Sequence, residues 1–208
     1  MSEFAFAAGE ASPRKRPVQD RSRDTVAAIV EATFRILERD GEALTTTRVA
    51  EAAGVSVGTL YQYFPNRTAL INGALAEHLE AVVGAIEIAA AEAQALPIAE
   101  AAEHVVRAFL AVKASRAPVA RVLNRVFSLD KLDDRAVVRA SSRRAQIAVA
   151  RVLAAGGVPD AAQVRRAEIA CAVLESVVRT AIDSDLERLH DPAWVEQIVR
   201  IAVRALTD

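Results

Sequence analysis

The residues between Val57 and Tyr63 bring hydroxyl, phenol and amide side chains together in one short segment, VGTLYQY. Thr59, Tyr61, Gln62 and Tyr63 can each donate and accept hydrogen bonds. The segment contains no carboxylate, histidine or cysteine, the groups that proton transfer and nucleophilic catalysis use most often. The pattern therefore indicates recognition through hydrogen bonds and not a reaction centre.

Helix-capping and helix-breaking residues lie directly before and after this segment. Thr45 can cap a short helix that ends at Gly54, a residue that adopts the left-handed conformation of a sharp turn. Ser56 can cap a second short helix, which Pro65 ends, and Asn66 can cap the long helix that follows. Two short helices across a tight turn form a helix-turn-helix, whose second helix fits a major groove about 12 Å wide.

The apolar positions of the two short helices lie on the side opposite the hydrogen-bonding residues. Val49, Val55, Leu60 and Phe64 can pack with the first helix as a small core. The outer side of the second short helix is then free, and Gly58 lets its backbone approach DNA closely.

The features that carry a family resemblance are Thr45 at the start of the second helix, Val49-Ala50, Ala53-Gly54-Val55-Ser56, Gly58-Thr59-Leu60-Tyr61, Phe64 and Arg67. With them the segment Leu44–Leu70 resembles the DNA-binding signature of the TetR family of bacterial transcriptional regulators. The resemblance implies phosphate contacts from Thr46, Thr59, Tyr61 and Arg67. It implies contacts with bases or the groove wall from Thr47, Val57, Gly58, Gln62 and Tyr63. Many family members have histidine at the position of Tyr63, so base edge, phosphate and packing all stay open for it.

The chain of 208 residues is expected to be all-α, because alanine and leucine are abundant and turn-bounded β-branched runs are scarce. The spacing of apolar residues and breaks predicts about nine helices. Beyond the two short ones they run near 22–40, 67–93, 98–114, 118–129, 134–155, 160–184 and 191–206. We predict a disordered basic arm at 1–20, a helix-turn-helix head at 21–66 and a larger helical body at 67–208.

The arm carries a basic cluster, Arg14, Lys15 and Arg16, with Arg21 and Arg23 close behind. It can be read as a solvated leader or as an arm that reaches DNA phosphates or a minor groove. Both interpretations stay open.

Composition narrows the remaining function classes. The formal net charge of −1 at pH 7 argues against coating of nucleic acid through overall charge, although a local basic face stays possible. The single cysteine, Cys171, permits no intrachain disulfide and fits a reducing compartment. No stretch reaches the roughly 20 apolar residues of a membrane span, and the first residues do not read as a signal peptide. We expect a cytoplasmic protein.

Catalysis, metals and cofactors are not expected. His78, His104 and His190 are scattered and lack metal-ligand spacing, and the chain has no glycine-rich phosphate loop. The main alternative to a DNA-binding regulator is a helical small-molecule-binding protein without operator binding.

The last two helices are apolar over a wide arc, which includes Ile169, Val173, Val177 and Val178, so they can pack on two sides. The resemblance implies a homodimer through the helices near 160–184 and 191–206, a palindromic operator and repression relieved by a small-molecule effector. The apolar residues that could line an effector pocket, or equally fill the core of the body, are Leu79, Val83, Ile86, Phe109, Leu123, Phe127, Ile147 and Leu174. Those that could orient a ligand, or equally lie at the surface or the dimer rim, are Asn124, Arg125, Glu175 and Arg179. Hydrophobic effectors fit this inventory better than sugars or phosphates.

Overall fold

The computed structural model describes residues 17–130 and 135–207, and the side chains of these residues except 17–20, 42, 126–130 and 135. Within these ranges the chain forms nine α-helices and no strand, so the predicted all-α class is confirmed. The helices are α1 Pro17–Asp40, α2 Thr46–Ala53, α3 Val57–Tyr63, α4 Arg67–Glu92, α5 Ile98–Ser115, α6 Ala117–Asp130, α7 Arg135–Leu153, α8 Ala161–Ser184 and α9 Pro192–Thr207. Within the same ranges, no helix is both long enough and apolar enough to cross a bilayer.

The first helix starts earlier than predicted. It begins at Pro17, five residues before the expected Ser22, so residues 17–20 belong to α1 and not to the predicted disordered arm. Proline is well suited to the first helical position, because its fixed φ matches a helix and its missing N–H has no partner there in any case. The basic cluster at 14–16 lies outside the described residues.

The other predicted helices agree with the structure to within two residues at each end. Thr45, Ser56 and Asn66 cap α2, α3 and α4, and their side-chain oxygens accept from the amide three residues further on at 3.3, 2.9 and 2.8 Å. Gly54 has a φ of 69° in the turn between α2 and α3. The local capping and turn predictions are therefore confirmed.

One apolar cluster holds the helices of the head together. We call this cluster the head core; its buried members include Ile29 and Leu37 of α1, Val49 and Ala50 of α2, Leu60 of α3, Leu70 and Ile71 of α4, and Val119 and Leu123 of α6. Because α4 and α6 contribute to it, the head packs directly on the body without an intervening linker. The division of the chain at residue 66 stays a prediction.

The body is built around α4, which packs against α5 and α7, while α5 packs against α9 and α7 against α8. Its own apolar core runs through the buried faces of all these helices. On the surface, Arg144 of α7 reaches both Glu80 and Glu87 of α4, with Nη2 3.0 Å from Glu80 Oε1 and 2.7 Å from Glu87 Oε2. These half-exposed pairs set α7 alongside the helix that leads away from the head.

Candidate nucleic-acid interface

Backbone and side-chain hydrogen bonds fix the turn between α2 and α3. The amide of Gly54 donates to the carbonyl of Glu51 at 3.1 Å, and that of Val55 donates to Ala50 at 3.0 Å. Arg35 of α1 donates to the carbonyl of Ala52 at 3.1 Å, which fixes the end of α2 against the first helix. The start of α3 is thus held in a defined direction relative to α1 and α2.

The third helix separates a packed side from an exposed side. Leu60 is fully buried, and Tyr63 and Phe64 pack half-buried against the head core. On the opposite side Val57, Gly58, Tyr61 and Gln62 are exposed, as is Thr47 at the start of α2. We call the side formed by Thr46, Thr47, Val57, Gly58, Tyr61 and Gln62 the outer face. These residues do not take part in the head core, whereas Tyr63, which was expected on the free side of α3, packs against it.

Two hydroxyls join α2 to α3 on the outer face. The side-chain oxygens of Thr46 and Tyr61 lie 3.1 Å apart, although the residues are 15 positions apart in sequence. In such a pair one hydroxyl donates and the other accepts, so the accepting hydroxyl keeps its own hydrogen for a third group. The pair therefore offers one donor and several lone pairs to a ligand in front of the outer face.

Thr59 lies at the margin of this face and not on it. Its hydroxyl is 2.8 Å from Ser56 Oγ, and its amide donates to the same Ser56 oxygen at 2.9 Å. The side chain is half-buried. Its predicted phosphate contact therefore has to share the hydroxyl with the cap of α3.

Arg67 and Tyr63 both have structural contacts within the protein. Arg67 Nε donates to the carbonyl of Leu44 at 3.2 Å, which joins the start of α4 to the segment before α2. Of the three roles left open for Tyr63, packing is the one that the structure shows. DNA contacts from these two residues stay predictions.

Gly58 and Gly73 differ in what surrounds them. A β-carbon built at Gly58 would meet only Ser56 Oγ, at 3.7 Å, which is an ordinary contact. At Gly73 of α4 a β-carbon would stand 2.6 Å from Cε1 of Phe64, the residue that ends α3. A side chain at 73 would thus displace the Phe64 ring, whereas the protein itself leaves room for a side chain at 58.

Comparison with known proteins assigns this helix-turn-helix to a family. Residues 29–74, from the middle of α1 into α4, match the family model described as bacterial regulatory proteins of the tetR family. The helix-turn-helix head is of the TetR-family type. The match covers the head and the start of α4, which are the elements that hold the outer face.

Relatives with this TetR-type segment include two kinds of named protein. The nucleoid occlusion factor SlmA of Haemophilus influenzae is 36% identical over 69 residues, 33% of this chain and 30% of that protein. The transcriptional repressor KstR of Rhodococcus jostii is 44% identical over 55 residues, 26% of each chain. The matches thus span less than a third of the length of these relatives.

The whole described architecture is that of solved TetR-family proteins. A TetR-family transcriptional regulator from Mesorhizobium loti superimposes with a TM-score of 0.75 over 89% of this chain and 96% of its own, at 17% sequence identity. At this identity the likeness concerns the fold alone, and it includes the body, for which the family model gives no match.

The body has a partly open pocket of about 300 Å³ among α4, α5, α7, α8 and α9, which we call the body cavity. Five of the predicted pocket residues line it, namely Leu79, Val83, Ile86, Phe109 and Leu174. Of the polar residues that were expected to orient a ligand, Glu175 and Arg179 line it as well.

Two predicted pocket residues have to be reassigned. Leu123 is buried in the head core, because its side of α6 packs on α1. Ile147 is 44% exposed and borders a separate surface groove, because its side of α7 faces away from the body cavity. The side chain of Phe127 lies outside the described residues. Asn124 does not line the cavity and instead donates to Asp183 Oδ1 at 3.3 Å.

The prediction missed the charged group inside the body cavity. Lys113 is only 5% exposed, its Nζ is 2.7 Å from Glu175 Oε1, and the same atom lies 5.5 Å from the centre of the Phe109 ring. The available signal was its position four residues after Phe109, on the apolar stripe of α5. Ser141, Ser142, Gln146 and Cys171 also line the cavity and were not predicted to do so.

Two titratable groups near Lys113, His78 and Cys171, have pKa values far from their ordinary ones. His78 of α4 is buried, and no described group accepts from or donates to its Nδ1. Burial, together with the positive charges of Lys113 and Arg116, lowers the pKa of His78 to about 3. Burial, with a contribution from Glu175, raises the pKa of the Cys171 thiol to about 11. At neutral pH the imidazole is therefore uncharged and the thiol protonated.

The last two long helices present an apolar side to solvent. Ile169, Val173 and Val177 of α8 are exposed at intervals of one helical turn, and Ile201 of α9 is 52% exposed beside them. They border a groove of about 360 Å³ between the two helices. The opposite side of α8 is buried through Val178 and Ile182, so the predicted two-sided apolar arc is present.

Proposed function

We propose that this chain is a sequence-specific DNA-binding transcriptional regulator of the TetR family that acts as a homodimer on a palindromic operator. The observation that carries the proposal is the outer face, an exposed set of hydrogen-bonding side chains on a helix-turn-helix whose direction is fixed by α1. Phosphate contacts are proposed for Thr46, Thr59, Tyr61 and Arg67, and base or groove contacts for Thr47, Val57, Gly58, Gln62 and Tyr63. Phosphate contacts position a protein on the duplex, and base contacts specify the sequence.

The Thr46–Tyr61 pair supports this assignment of roles. A hydroxyl pair that is already oriented loses little freedom when its remaining hydrogen turns to a phosphate oxygen. Gln62 lies one residue further along α3, is exposed, and carries the amide group that can bond an adenine edge with two hydrogen bonds.

The exposed apolar side of α8 and α9 supports the homodimer. Scattered apolar residues on a surface are ordinary, but a contiguous apolar patch usually marks an interaction site. Ile169, Val173, Val177 and Ile201 form such a patch along one side of two long helices. A twofold axis through it gives two heads and so a twofold operator.

Repression is the regulatory direction that we propose. The relative KstR is a named transcriptional repressor, and its likeness to this chain lies in the DNA-binding segment. A dimer bound over a promoter blocks transcription without any further protein contact. The proposed release mechanism is an effector in the body cavity that favours a body conformation in which α4 moves the two heads away from groove spacing. Such a ligand shifts the balance only by its difference in affinity between the two states.

The decisive experiment selects bound sequences from random duplex DNA with the purified protein at near-physiological salt. A palindrome with half-sites about one helical turn apart is expected. Recovery of no motif, with only salt-sensitive background binding, would overturn the proposal. That result would favour a helical small-molecule-binding protein without operator binding.

The oligomeric state is tested at the α8–α9 patch. Val173→Asp places a charge in the patch, whereas Val158→Asp changes a residue that is 95% exposed outside it. In light scattering the first variant should have the mass of one chain and the second that of two. The mass of two chains for both variants would place the dimer interface elsewhere, and the mass of one chain for both would overturn the homodimer.

A further inference from the structure

We propose that the body cavity binds an amphipathic carboxylic acid, whose carboxylate pairs with the buried ammonium group of Lys113 while its apolar part fills the rest of the cavity. The inference rests on the proposed effector role of this cavity and adds the chemical class of the effector. A volume of about 300 Å³ lies at the lower end of the range for small-molecule pockets.

The lining divides into an apolar part and a charged part. The apolar part comes from the aliphatic residues of α4, α5 and α7. Among the described side chains that line the cavity, Lys113 and Arg179 carry positive charges and Glu175 carries the one negative charge. Ser141, Ser142 and Gln146 add neutral hydrogen-bonding groups. Of these three charged side chains only Lys113 is buried, since Glu175 and Arg179 are both exposed.

The two members of the Lys113–Glu175 pair differ greatly in exposure. The Lys113 side chain is 6% exposed and the Glu175 side chain 49%. The Glu175 side chain can therefore rotate into water at little cost in free energy. Without Glu175, Lys113 would carry an uncompensated buried charge, which is strongly unfavourable. Lys113 thus needs an anion, and Glu175 is an anion that can be replaced.

This asymmetry distinguishes three classes of ligand. A carboxylate takes the place of Glu175 and keeps the charge of Lys113 compensated. An amine would have to bind Glu175 in competition with Lys113 and would leave the lysine unpaired. A neutral apolar molecule gains burial but no charge-assisted hydrogen bond. Burial, and after it the positive charge of Lys113, lowers the pKa of the nearby His78, so the imidazole does not supply a second cation here.

Replacing Glu175 also has a consequence for regulation. The Lys113–Glu175 pair joins α5 to α8, and Val173 and Val177 of the same helix belong to the proposed dimer patch. A ligand carboxylate at Lys113 would detach α8 from α5 at this point. Ligand binding would therefore act directly on α8, which carries part of the proposed dimer patch and so helps to set the distance between the two heads.

The test measures binding of decanoate, decan-1-ol and decylamine to the full chain by calorimetry, without DNA and below the concentrations at which the probes aggregate. Decanoate should bind at least about tenfold more tightly than decan-1-ol, and decylamine more weakly than both. Equal affinity for the acid and the alcohol, tighter binding of the amine, or no binding of any of the three would overturn the inference.

Lys113→Met tests the position of the carboxylate. Methionine keeps an unbranched chain of similar length, and the Glu175 that it leaves behind is half-exposed to water. The variant should lose the preference for acid over alcohol but still bind the alcohol. Arg143→Met is the matched control, because it removes the same charge from an exposed position of α7 outside the cavity, and it should keep the preference. Undiminished acid preference in Lys113→Met would also overturn the inference.

The result is independent of the proposed regulator function. Selection from random DNA with the same preparation reports on operator binding and not on the ligand. A recovered palindrome together with no acid preference rejects the carboxylate and leaves the regulator intact. Acid preference together with no recovered motif supports the carboxylate ligand and rejects the regulator function.

Discussion

The ring of Phe64, at the end of α3, lies against Gly73 of α4 so closely that a β-carbon at residue 73 would stand 2.6 Å from Cε1 and 3.3 Å from Cζ. The ring is also packed on the head core. The end of the proposed recognition helix and the first turns of α4 therefore cannot move independently without disturbing this contact. It is a direct mechanical link between the outer face and the body.

Gly73→Ala should displace the Phe64 ring and with it the end of α3. Overpacking of this kind destabilises a protein by about 1–3 kcal/mol, and DNA affinity should fall as well. Denaturant unfolding and DNA titration measure the two effects.

Gly84→Ala is the matched control on the same helix, because a β-carbon at Gly84 meets nothing within 4 Å. The control should be stabilised by about 0.5–1 kcal/mol with unchanged DNA binding, and equal behaviour of the two variants would disprove the link.

Gly58→Ala should separate DNA binding from stability. The new methyl group would meet only Ser56 Oγ at 3.7 Å within the protein, so the free energy of unfolding should not fall. Affinity for DNA should fall on the order of tenfold, because the methyl group stands where the backbone of α3 is proposed to approach the groove. Undiminished affinity would show that Gly58 does not face the DNA at short range.

Tyr61→Phe should weaken binding to all duplexes to a similar degree, by about 1.5–3 kcal/mol, because a phosphate contact carries no base information. Binding curves with the operator and with a scrambled duplex measure this. Tyr63→Phe, the same deletion on the neighbouring packed tyrosine, should have a smaller effect. If Tyr61→Phe relaxed the preference at one base pair only, the phosphate role would be wrong.

Thr46→Val combined with Tyr61→Phe should show that the two hydroxyls act as a unit. Because they lie 3.1 Å apart, removing either one alters the orientation of the other. The loss of DNA affinity in the double variant should be smaller than the sum of the single losses by about 0.5–3 kcal/mol. Strict additivity would mean that the pair is not maintained in the complex.

Gln62→Ala should lower discrimination at one position of each half-site by about 1–3 kcal/mol while leaving binding to unrelated duplexes unchanged. Repeating the selection from random DNA with the variant measures this directly. Gln94→Ala, at an exposed position beyond the end of α4, should leave the selected sequence as it is in the wild type. An unaltered profile for Gln62→Ala would remove Gln62 from base recognition.

His78 should make the protein sensitive to acid. Its pKa is about 3 in the folded chain against an ordinary value of 6.5, so between these values the unfolded chain binds the extra proton and acid favours unfolding. The free energy of unfolding should fall by up to about 1.4 kcal/mol per pH unit from this residue alone.

Urea unfolding at several pH values compares the wild type with His78→Gln. The variant should be less acid-sensitive below pH 6.5, and the exposed His190→Gln should behave as the wild type does. The same slope in all three proteins would mean that His78 reaches solvent or a hydrogen-bond partner in the folded state.

Predictions that depend on neighbours along the chain agree with the structure. The caps at Thr45, Ser56 and Asn66 and the left-handed Gly54 involve groups a few residues apart, and their residue types largely determine the geometry. The early start of α1 at Pro17 was missed because residues 1–20 were predicted to be a disordered arm, whereas proline suits the first position of a helix.

Predictions for the body required knowledge of helix rotation. Leu123 and Ile147 were named as residues that could line an effector pocket, but the sequence did not show which neighbouring helix each one faces. Packing places Leu123 against α1, and it leaves Ile147 outside the cavity and 44% exposed. Lys113 was passed over for a related reason, since a lysine is almost never fully buried unless a partner compensates its charge. That partner is Glu175, 62 positions away.

The sequence by itself determined the all-helical class, the short helices of the head and the residue types of the outer face, because local hydrogen bonds and apolar periodicity specify these features. Tertiary structure alone decided the pairing of Thr46 with Tyr61, the contact of Phe64 with Gly73 and the burial of Lys113 beside Glu175. Each of these depends on the angle and rotation at which two helices pack. Those quantities follow from the sum of contacts over a whole interface, and the spacing of residues along one helix does not contain them.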